Sequence, residues 1–215
     1  MTYHTWNQML AHLRQREQNN HTTDGIVEGA RGSGKSNTAG LIMLSLEPRF
    51  DFERHYVYDD VDLARTLPLL RGQKHVKQWF DEAKNVLYRR QAMTRVNKQV
   101  SLLMSQIREM QGTRFWVSPD SNELESFLTK DQADICLTTP ARGHVRAWRF
   151  WKNWHSPPGS REGRWIPVFS KSNVPDLAEV APRFEATMRR YKTAGFNRVT
   201  QGVVHQITKK NNLLK

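Results

Sequence analysis

Apolar residues recur along the chain at two different spacings, and the change from one to the other separates helices from strands. Spacings of three and four predict helices at 5–18, with Thr5 as a candidate N-cap, and over the longest periodic segment, 85–110. Further helices are predicted in SNTAGLIMLSL up to Pro48, in VDLARTLPLL with an interruption at Pro68, in SNELESFLTK, and in APRFEATMRRYKTAG. The last of these should begin near Pro182, end at Gly195 and be followed by a loose basic tail.

Short runs of β-branched and aromatic residues lie between these helices. Five strands are predicted in GIVEGA, RHYVYDD, VKQWF, TRFWVS and ADICLTT, followed by two more in ARGHVRAWRFWKNW and RWIPVF. Strands that alternate with helices predict an α/β fold in which a mainly parallel central sheet is flanked by helices. We expect one domain with three parts: an N-terminal amphipathic helix (1–20), a core (24–140), and C-terminal strands, helix and tail (141–215).

Charge adds an expected partner to this picture. The chain has 33 Lys and Arg against 21 Asp and Glu, a formal net charge of +12. Such an excess favours a polyanionic partner, nucleic acid first, although a basic surface can also serve solubility alone. The single cysteine, Cys136, lies in an apolar run and predicts a buried thiol in a reducing, intracellular setting. No apolar run approaches the ~20 residues that span a bilayer, so no membrane insertion is expected.

The stretch GARGSGKS carries the clearest chemistry. Gly29, Gly34, Lys35 and Ser36 satisfy the P-loop pattern G-x-x-x-x-G-K-[ST], and the stretch lies between a predicted strand and a predicted helix. In such a loop, backbone N–H groups and the helix N-terminus face phosphate oxygens, the lysine adds a point charge, and the hydroxyl can ligate Mg²⁺. The pattern therefore predicts ATP as ligand. The predicted nucleotide-binding residues are Gly29, Ala30, Arg31, Gly32, Ser33, Gly34, Lys35, Ser36 and Asn37.

An acidic pair follows the strand VKQWF. Asp81 is predicted to hold the Mg²⁺ that Ser36 ligates, through the water shell of the ion, and Glu82 to act as the general base that activates water. The alternative is an ordinary acidic pair at a solvated helix start, where it would favour the helix dipole. Asp59 and Asp60, which follow another predicted strand, are the rival candidates for the metal-side carboxylate.

Two further catalytic candidates lie in the second half of the core. Ser118, at the end of RFWVS, can be a polar sensor beside the γ-phosphate or an ordinary turn serine before Pro119. Arg108 can reach the nucleotide of a neighbouring subunit as an arginine finger, or can be a solvated helix residue. The weaker candidates for such a finger are Arg31, Arg114, Arg142 and Arg146.

The order of these motifs resembles a known family. GARGSGKS, FDEA, a long helix ending in QIREMQG, the strand FWVSPD and then ADICLTT are similar, over about residues 24–150, to the FtsK-HerA superfamily, specifically to compact viral genome-packaging ATPases. The resemblance implies a P-loop NTPase fold of the additional-strand, catalytic-Glu type. The chain departs from the family at VSPD, because the sensor strand in that family often ends in Gln.

The resemblance also implies partners. Such proteins form ring-shaped homo-oligomers, usually hexamers, that hydrolyse ATP to move double-stranded DNA, so a viral capsid or portal vertex and a host-cytoplasmic or virion-associated location are expected. Candidate DNA-phosphate contacts are Arg89, Arg90, Arg95, Lys98, Arg142 and Arg146. Two other functions remain open: a small P-loop kinase, and a nucleic-acid-binding or scaffold protein that is gated by nucleotide with little turnover.

Overall fold

A seven-stranded sheet forms the centre of the protein in a computed structural model, which describes residues 4–70, 72–86, 111–120, 124, 133–152 and 163–212. The strands are β1 Thr23–Glu28, β2 Tyr56–Val57, β3 Lys77–Phe80, β4 Thr113–Ser118, β5 Ala133–Ala141, β6 His144–Lys152 and β7 Gly163–Lys171. Their order across the sheet is β2-β3-β4-β1-β5-β6-β7. The first five strands in this order are parallel, and β6 and β7 extend the sheet as antiparallel strands. The predicted mainly parallel α/β fold is confirmed.

Helices accompany this sheet. They are α1 Trp6–Gln18, α2 Lys35–Leu46, α3 Phe52–His55, α4 Asp60–Leu70, α5 Leu177–Val180 and α6 Pro182–Asn212, with a short 3₁₀ turn at Ala83–Asn85. Thr5 caps α1 as predicted, because its hydroxyl accepts a hydrogen bond from Gln8 N. The predicted helices at 85–110 and in SNELESFLTK lie outside the described residues, apart from Leu124.

Both faces of the parallel part of the sheet are buried. Successive side chains of a strand point to opposite faces, so Trp79 and Phe115 join the larger core cluster with α1 and α2. Phe80 and Trp116 pack on the other face, with their rings stacked at 3.8 Å between centroids. Cys136 is also buried, as expected, and burial raises the pKa of its thiol.

Two predicted elements between residues 51 and 70 have different boundaries in the structure. Only Tyr56 and Val57 of RHYVYDD are extended. The preceding residues form α3, because the carboxylate of Asp51 accepts from Glu53 N and starts a helical turn. Helix α4 runs through Pro68 and ends only at Leu70. Proline removes one hydrogen bond there, and the complete burial of Leu70 offsets part of that cost.

The C-terminal helix is longer than predicted. Gly195 does not end it, and α6 continues to Asn212 through the segment predicted as a loose tail. Gly195 lies against the ring of Tyr58, so its role is close packing and not helix termination. On the same side of the helix, Phe184 stacks on Trp79 and Tyr191 stacks on Phe52, with ring centroids 6.4 Å and 5.4 Å apart. These contacts fix α6 on the core.

We expect Gly195→Ala to lower the free energy of unfolding by about 1–3 kcal/mol, because the added Cβ would lie 2.4 Å from Cδ1 of Tyr58. The matched control is Gly202→Ala in the same helix, where an added Cβ meets nothing within 4 Å. It should stabilise the protein by up to about 1 kcal/mol, as alanine does in an exposed helix. Urea unfolding followed by circular dichroism measures both, and equal effects would contradict the packing role of Gly195.

Candidate nucleotide site

The glycine-rich loop joins the carboxyl end of β1 to the first turn of α2. Gly34 has φ +96° and occupies the N-cap position, a left-handed conformation that glycine adopts without strain. Gly29 approaches β5 closely, since an added Cβ would lie 2.4 Å from Thr139 Oγ1. The Thr139 hydroxyl donates to the carbonyl of Glu28, so the 2.7 Å contact between Thr139 Oγ1 and Ser33 Oγ requires Ser33 to be the donor. Thr139 therefore holds the loop at both ends.

Lys35 is almost fully buried at the start of α2. Its ammonium donates to the carbonyls of Gly29 and Ala30, at 2.8 and 2.9 Å. Burial lowers the pKa of Lys35, and the charge of Glu82 opposes that shift. The loop thus positions a cation over its own backbone, where a phosphate group would find both the ammonium and the helix N-terminus.

Asp81 lies at the carboxyl end of β3 and is fully buried. One carboxylate oxygen accepts from Ser36 Oγ at 2.8 Å, and the other accepts from the hydroxyl of Tyr56 at 3.0 Å. Burial, and then the Asp81 charge, raise the pKa of Tyr56, so this phenol stays a hydrogen-bond donor. The structure brings together the two predicted metal-binding residues. A hydroxyl beside a carboxylate is a hard-oxygen donor set that suits Mg²⁺.

Glu82 follows in a left-handed conformation, with φ +61°. For a non-glycine residue this geometry is uncommon and often marks a functional position. Its side chain lines the same cavity as Lys35 and Ser36, and the volume of this cavity is ≈ 660 Å³. The predicted base therefore faces the predicted phosphate loop.

Helix α6 forms the opposite wall of this cavity. Glu185, Met188, Lys192, Phe196 and Val199 face inward at helical spacing. Lys192 crosses from α6 to the phosphate loop and β3. Its ammonium donates to Ser36 Oγ at 2.9 Å and to Asp81 Oδ2 at 3.0 Å. Burial lowers the pKa of Lys192, but the charge and hydrogen bond of Asp81, together with Glu82 and Tyr58, raise the pKa overall.

Several other candidates form hydrogen bonds within the protein, and for Ser118 the bond is the one expected of its alternative role as a turn serine. The rival acid Asp59 caps α4 by accepting from Asp62 N, and it also accepts from Nε and Nη2 of Arg198. Asp60 is exposed as the first residue of that helix. Ser118 is buried and donates to the carbonyl of Asp120, the contact of a turn serine. The amide of Asn37 holds the backbone at Pro175 and Leu177.

The arginine candidates fall into three groups. The prediction of Arg114 as an arginine finger is wrong, because its side chain is 1% exposed and forms a bidentate ion pair with Asp24 on the neighbouring strand. Arg31 and Arg142 line the cavity, and Arg142 also pairs with Asp176, whereas Arg146 is exposed on β6. The remaining candidates, Arg89, Arg90, Arg95, Lys98 and Arg108, lie outside the described residues.

The position of β4 decides the class of this site. In the sheet, β4 lies between β1, which leads into the glycine loop, and β3, which ends at the acidic pair. One fold combines these features: a strand, a phosphate loop and a helix in succession, and a carboxylate one strand further along the sheet. Here that carboxylate is Asp81, which accepts a hydrogen bond from Ser36 across the inserted strand β4. The protein has the P-loop NTPase fold, of the additional-strand type.

Solved structures of two proteins are similar to this P-loop NTPase fold. The N-terminal domain of zonular occludens toxin from Neisseria meningitidis is 15% identical, with 69% of this chain and 95% of that chain covered and a TM-score of 0.44. The genome packaging NTPase B204 from Sulfolobus turreted icosahedral virus 2 is 12% identical in its complexes with AMPPCP and AMP, with 68% of this chain and 97% of that chain covered. The TM-scores of these two complexes are 0.44 and 0.42.

No protein-family model and no curated protein matches the chain. At such low identities, the fold assignment rests on the strand order and the loop geometry described above. Within the described ranges, no helix has the length and apolar character needed to cross a membrane.

The sequence analysis did not predict a role in the site for three residues. Tyr56 and Thr139 lie on strands distant in sequence from the loop, and Lys192 lies 156 positions after Ser36. Each touches the P-loop or Asp81 only because the sheet and α6 bring the segments together. No local motif marks them, although Tyr56 and Thr139 do fall inside predicted strands.

Proposed function

We propose that this protein is an ATP-hydrolysing motor that moves double-stranded DNA as a ring-shaped homo-oligomer and packages a viral genome. The observation that carries the proposal is that Lys35, Ser36 and Glu82 line one cavity, while the buried Asp81 accepts a hydrogen bond from Ser36 beside it. These four residues supply a phosphate-binding cation, two metal-binding oxygens and a base. The motor role, the hexameric ring and the capsid or portal partner extend the sequence resemblance to packaging ATPases.

Each residue has a defined task in this proposal. The ammonium of Lys35 exchanges its bonds to the Gly29 and Ala30 carbonyls for bonds to phosphate oxygens. Ser36 and Asp81 would hold Mg²⁺, which would supply positive charge beside the phosphates. Glu82 accepts a proton from the attacking water, and the left-handed backbone aims its carboxylate into the cavity.

The DNA-binding part of the proposal rests on charge. A net charge of +12 suits a polyanion, and the exposed Arg146 can contact backbone phosphates without reading sequence. Arg142 lies on the rim of the cavity, where it can contact either DNA or nucleotide. Arg108 stays a candidate finger for a neighbouring subunit, because one arginine in trans can accelerate phosphoryl transfer strongly.

The ATPase rate, measured with and without duplex DNA over a range of protein concentrations, tests the proposal. We expect the rate per subunit to rise with DNA and with self-association, and the DNA effect to weaken in salt. An ATPase rate that responds neither to DNA nor to self-association would contradict the motor function. Phosphorylation of a small-molecule acceptor would instead identify a kinase, and tight nucleotide binding without single-turnover hydrolysis would identify a nucleotide-gated scaffold.

A further inference from the structure

Lys192 occupies the position where the proposed metal would bind. Its ammonium lies 2.9 Å from Ser36 Oγ and 3.0 Å from Asp81 Oδ2, and 3.8 Å from Glu82 Oε1. Ser36 and Asp81 are the residues assigned above to Mg²⁺, and Glu82 is the assigned base. One side chain from α6 therefore contacts the metal-binding oxygens and approaches the base.

A fully buried carboxylate needs a counter-charge, and Lys192 supplies it. Asp81 is 0% exposed, and the Lys192 side chain is 34% exposed, so the ammonium reaches the buried carboxylate from the solvent side. Among the described residues, Lys192 is the cation paired with Asp81. Lys35, another lysine that lines this cavity, directs its ammonium to the loop carbonyls instead.

The ammonium and a divalent cation cannot use these oxygens together. A divalent cation ligated by Ser36 Oγ would share that oxygen with the ammonium, which lies 2.9 Å away, and two cations so close would repel one another strongly in a partly buried site. Metal binding must therefore displace the ammonium. The helix is anchored beside this position by the stacking of Tyr191 on Phe52 and by the packing of Gly195 on Tyr58, so the flexible lysine stem is the part that can move.

We propose that Lys192 is an internal cation that holds Ser36 and Asp81 in place without nucleotide and gives up its position to the metal. The inference rests on the proposed function, since it requires a metal–nucleotide complex at this site. It assigns to α6 a direct part in the ATPase cycle: the helix detects whether the metal position is filled. The displaced ammonium stays in the cavity that α6 lines, next to the phosphate loop.

The test measures Mn²⁺ affinity by electron paramagnetic resonance, on the full chain with a non-hydrolysable ATP analogue. We expect Lys192→Met to raise the Mn²⁺ affinity about tenfold, because the competing charged hydrogen bonds are lost. Lys192→Arg, which keeps the charge, should return the affinity toward the wild-type value. If the methionine variant does not fold, Lys192→Gln keeps a donor without the charge and should show the same rise.

Arg190→Met is the matched control. It removes the same charge from the same helix, but Arg190 is exposed and its guanidinium lies over the Tyr191 ring at 5.7 Å. We expect no change in Mn²⁺ affinity for this variant. A rise equal to that of Lys192→Met would show a general effect of charge and overturn the inference.

Two other results would also overturn it. The first is an unchanged or lower Mn²⁺ affinity in Lys192→Met. The second is a loss of analogue binding in EDTA by Lys192→Met but not by the wild-type protein. That result would make Lys192 a nucleotide ligand and not a substitute for the metal. If the wild-type protein binds neither analogue nor Mn²⁺, the proposed function fails as well; if it binds both and Lys192→Met behaves identically, only this inference fails.

Discussion

Lys35→Ala is expected to lower ATP hydrolysis by a factor on the order of 10² to 10³, the usual loss when one preorganised electrostatic group is removed from a reacting phosphate or carbonyl. The structure gives the reason. The ammonium of Lys35 is 7% exposed and is held by two loop carbonyls, so it is already positioned where phosphate oxygens would lie. Phosphate release and the binding of a fluorescent ATP analogue measure the effect, and both should fall.

The control for Lys35→Ala is Lys74→Ala, which removes an exposed lysine outside the cavity. Its hydrolysis and binding should equal those of the wild-type protein, which separates a local effect from the change in net charge. Thermal unfolding of both variants shows whether the fold is kept. A Lys35→Ala protein that folds and still hydrolyses ATP at the wild-type rate would contradict the assignment of the phosphate site.

Glu82→Gln is expected to slow hydrolysis by about 10²- to 10³-fold while nucleotide binding is kept. Glutamine has nearly the same shape but cannot accept the proton of the attacking water. The residue is not a main counter-charge of the fold, because its nearest described cation, Lys192, lies 3.8 Å from Oε1 and is bonded to Asp81 instead. The variant should therefore stay folded and trap bound ATP, measured by single-turnover kinetics.

Glu185→Gln provides a matched comparison for Glu82→Gln. Glu185 lines the same cavity from α6 and pairs with Arg189 on its own helix. The same change of a carboxylate to an amide should leave the hydrolysis rate near that of the wild-type protein. Equal losses in the two variants would show that any carboxylate in this cavity matters, and would remove Glu82 from its role as the base.

The succession of strands and helices along the chain and the phosphate loop were predictable from sequence because their signals are local, whereas the order of the strands across the sheet was not predicted. A glycine-rich run between an apolar strand and a helix specifies one loop geometry, since only glycine adopts the backbone of Gly34 without strain. The pairing of Ser36 with Asp81 followed from the chemistry expected of each residue. The errors in the described residues lie where a local signal has two meanings, as at Gly195, which can end a helix or allow close packing.

By itself, the sequence determined the phosphate loop, the acidic pair, the α/β class of the sheet and the basic character of the protein. Each depends on residue type at short spacing. Only the tertiary structure decided the partners of these residues: Thr139 contacts Ser33, Tyr56 and Lys192 contact Asp81, Lys192 also contacts Ser36, and Arg114 is buried against Asp24. These contacts join segments from 25 to 156 residues apart, and such distances are closed by the packing of the sheet and α6 and not by any local pattern.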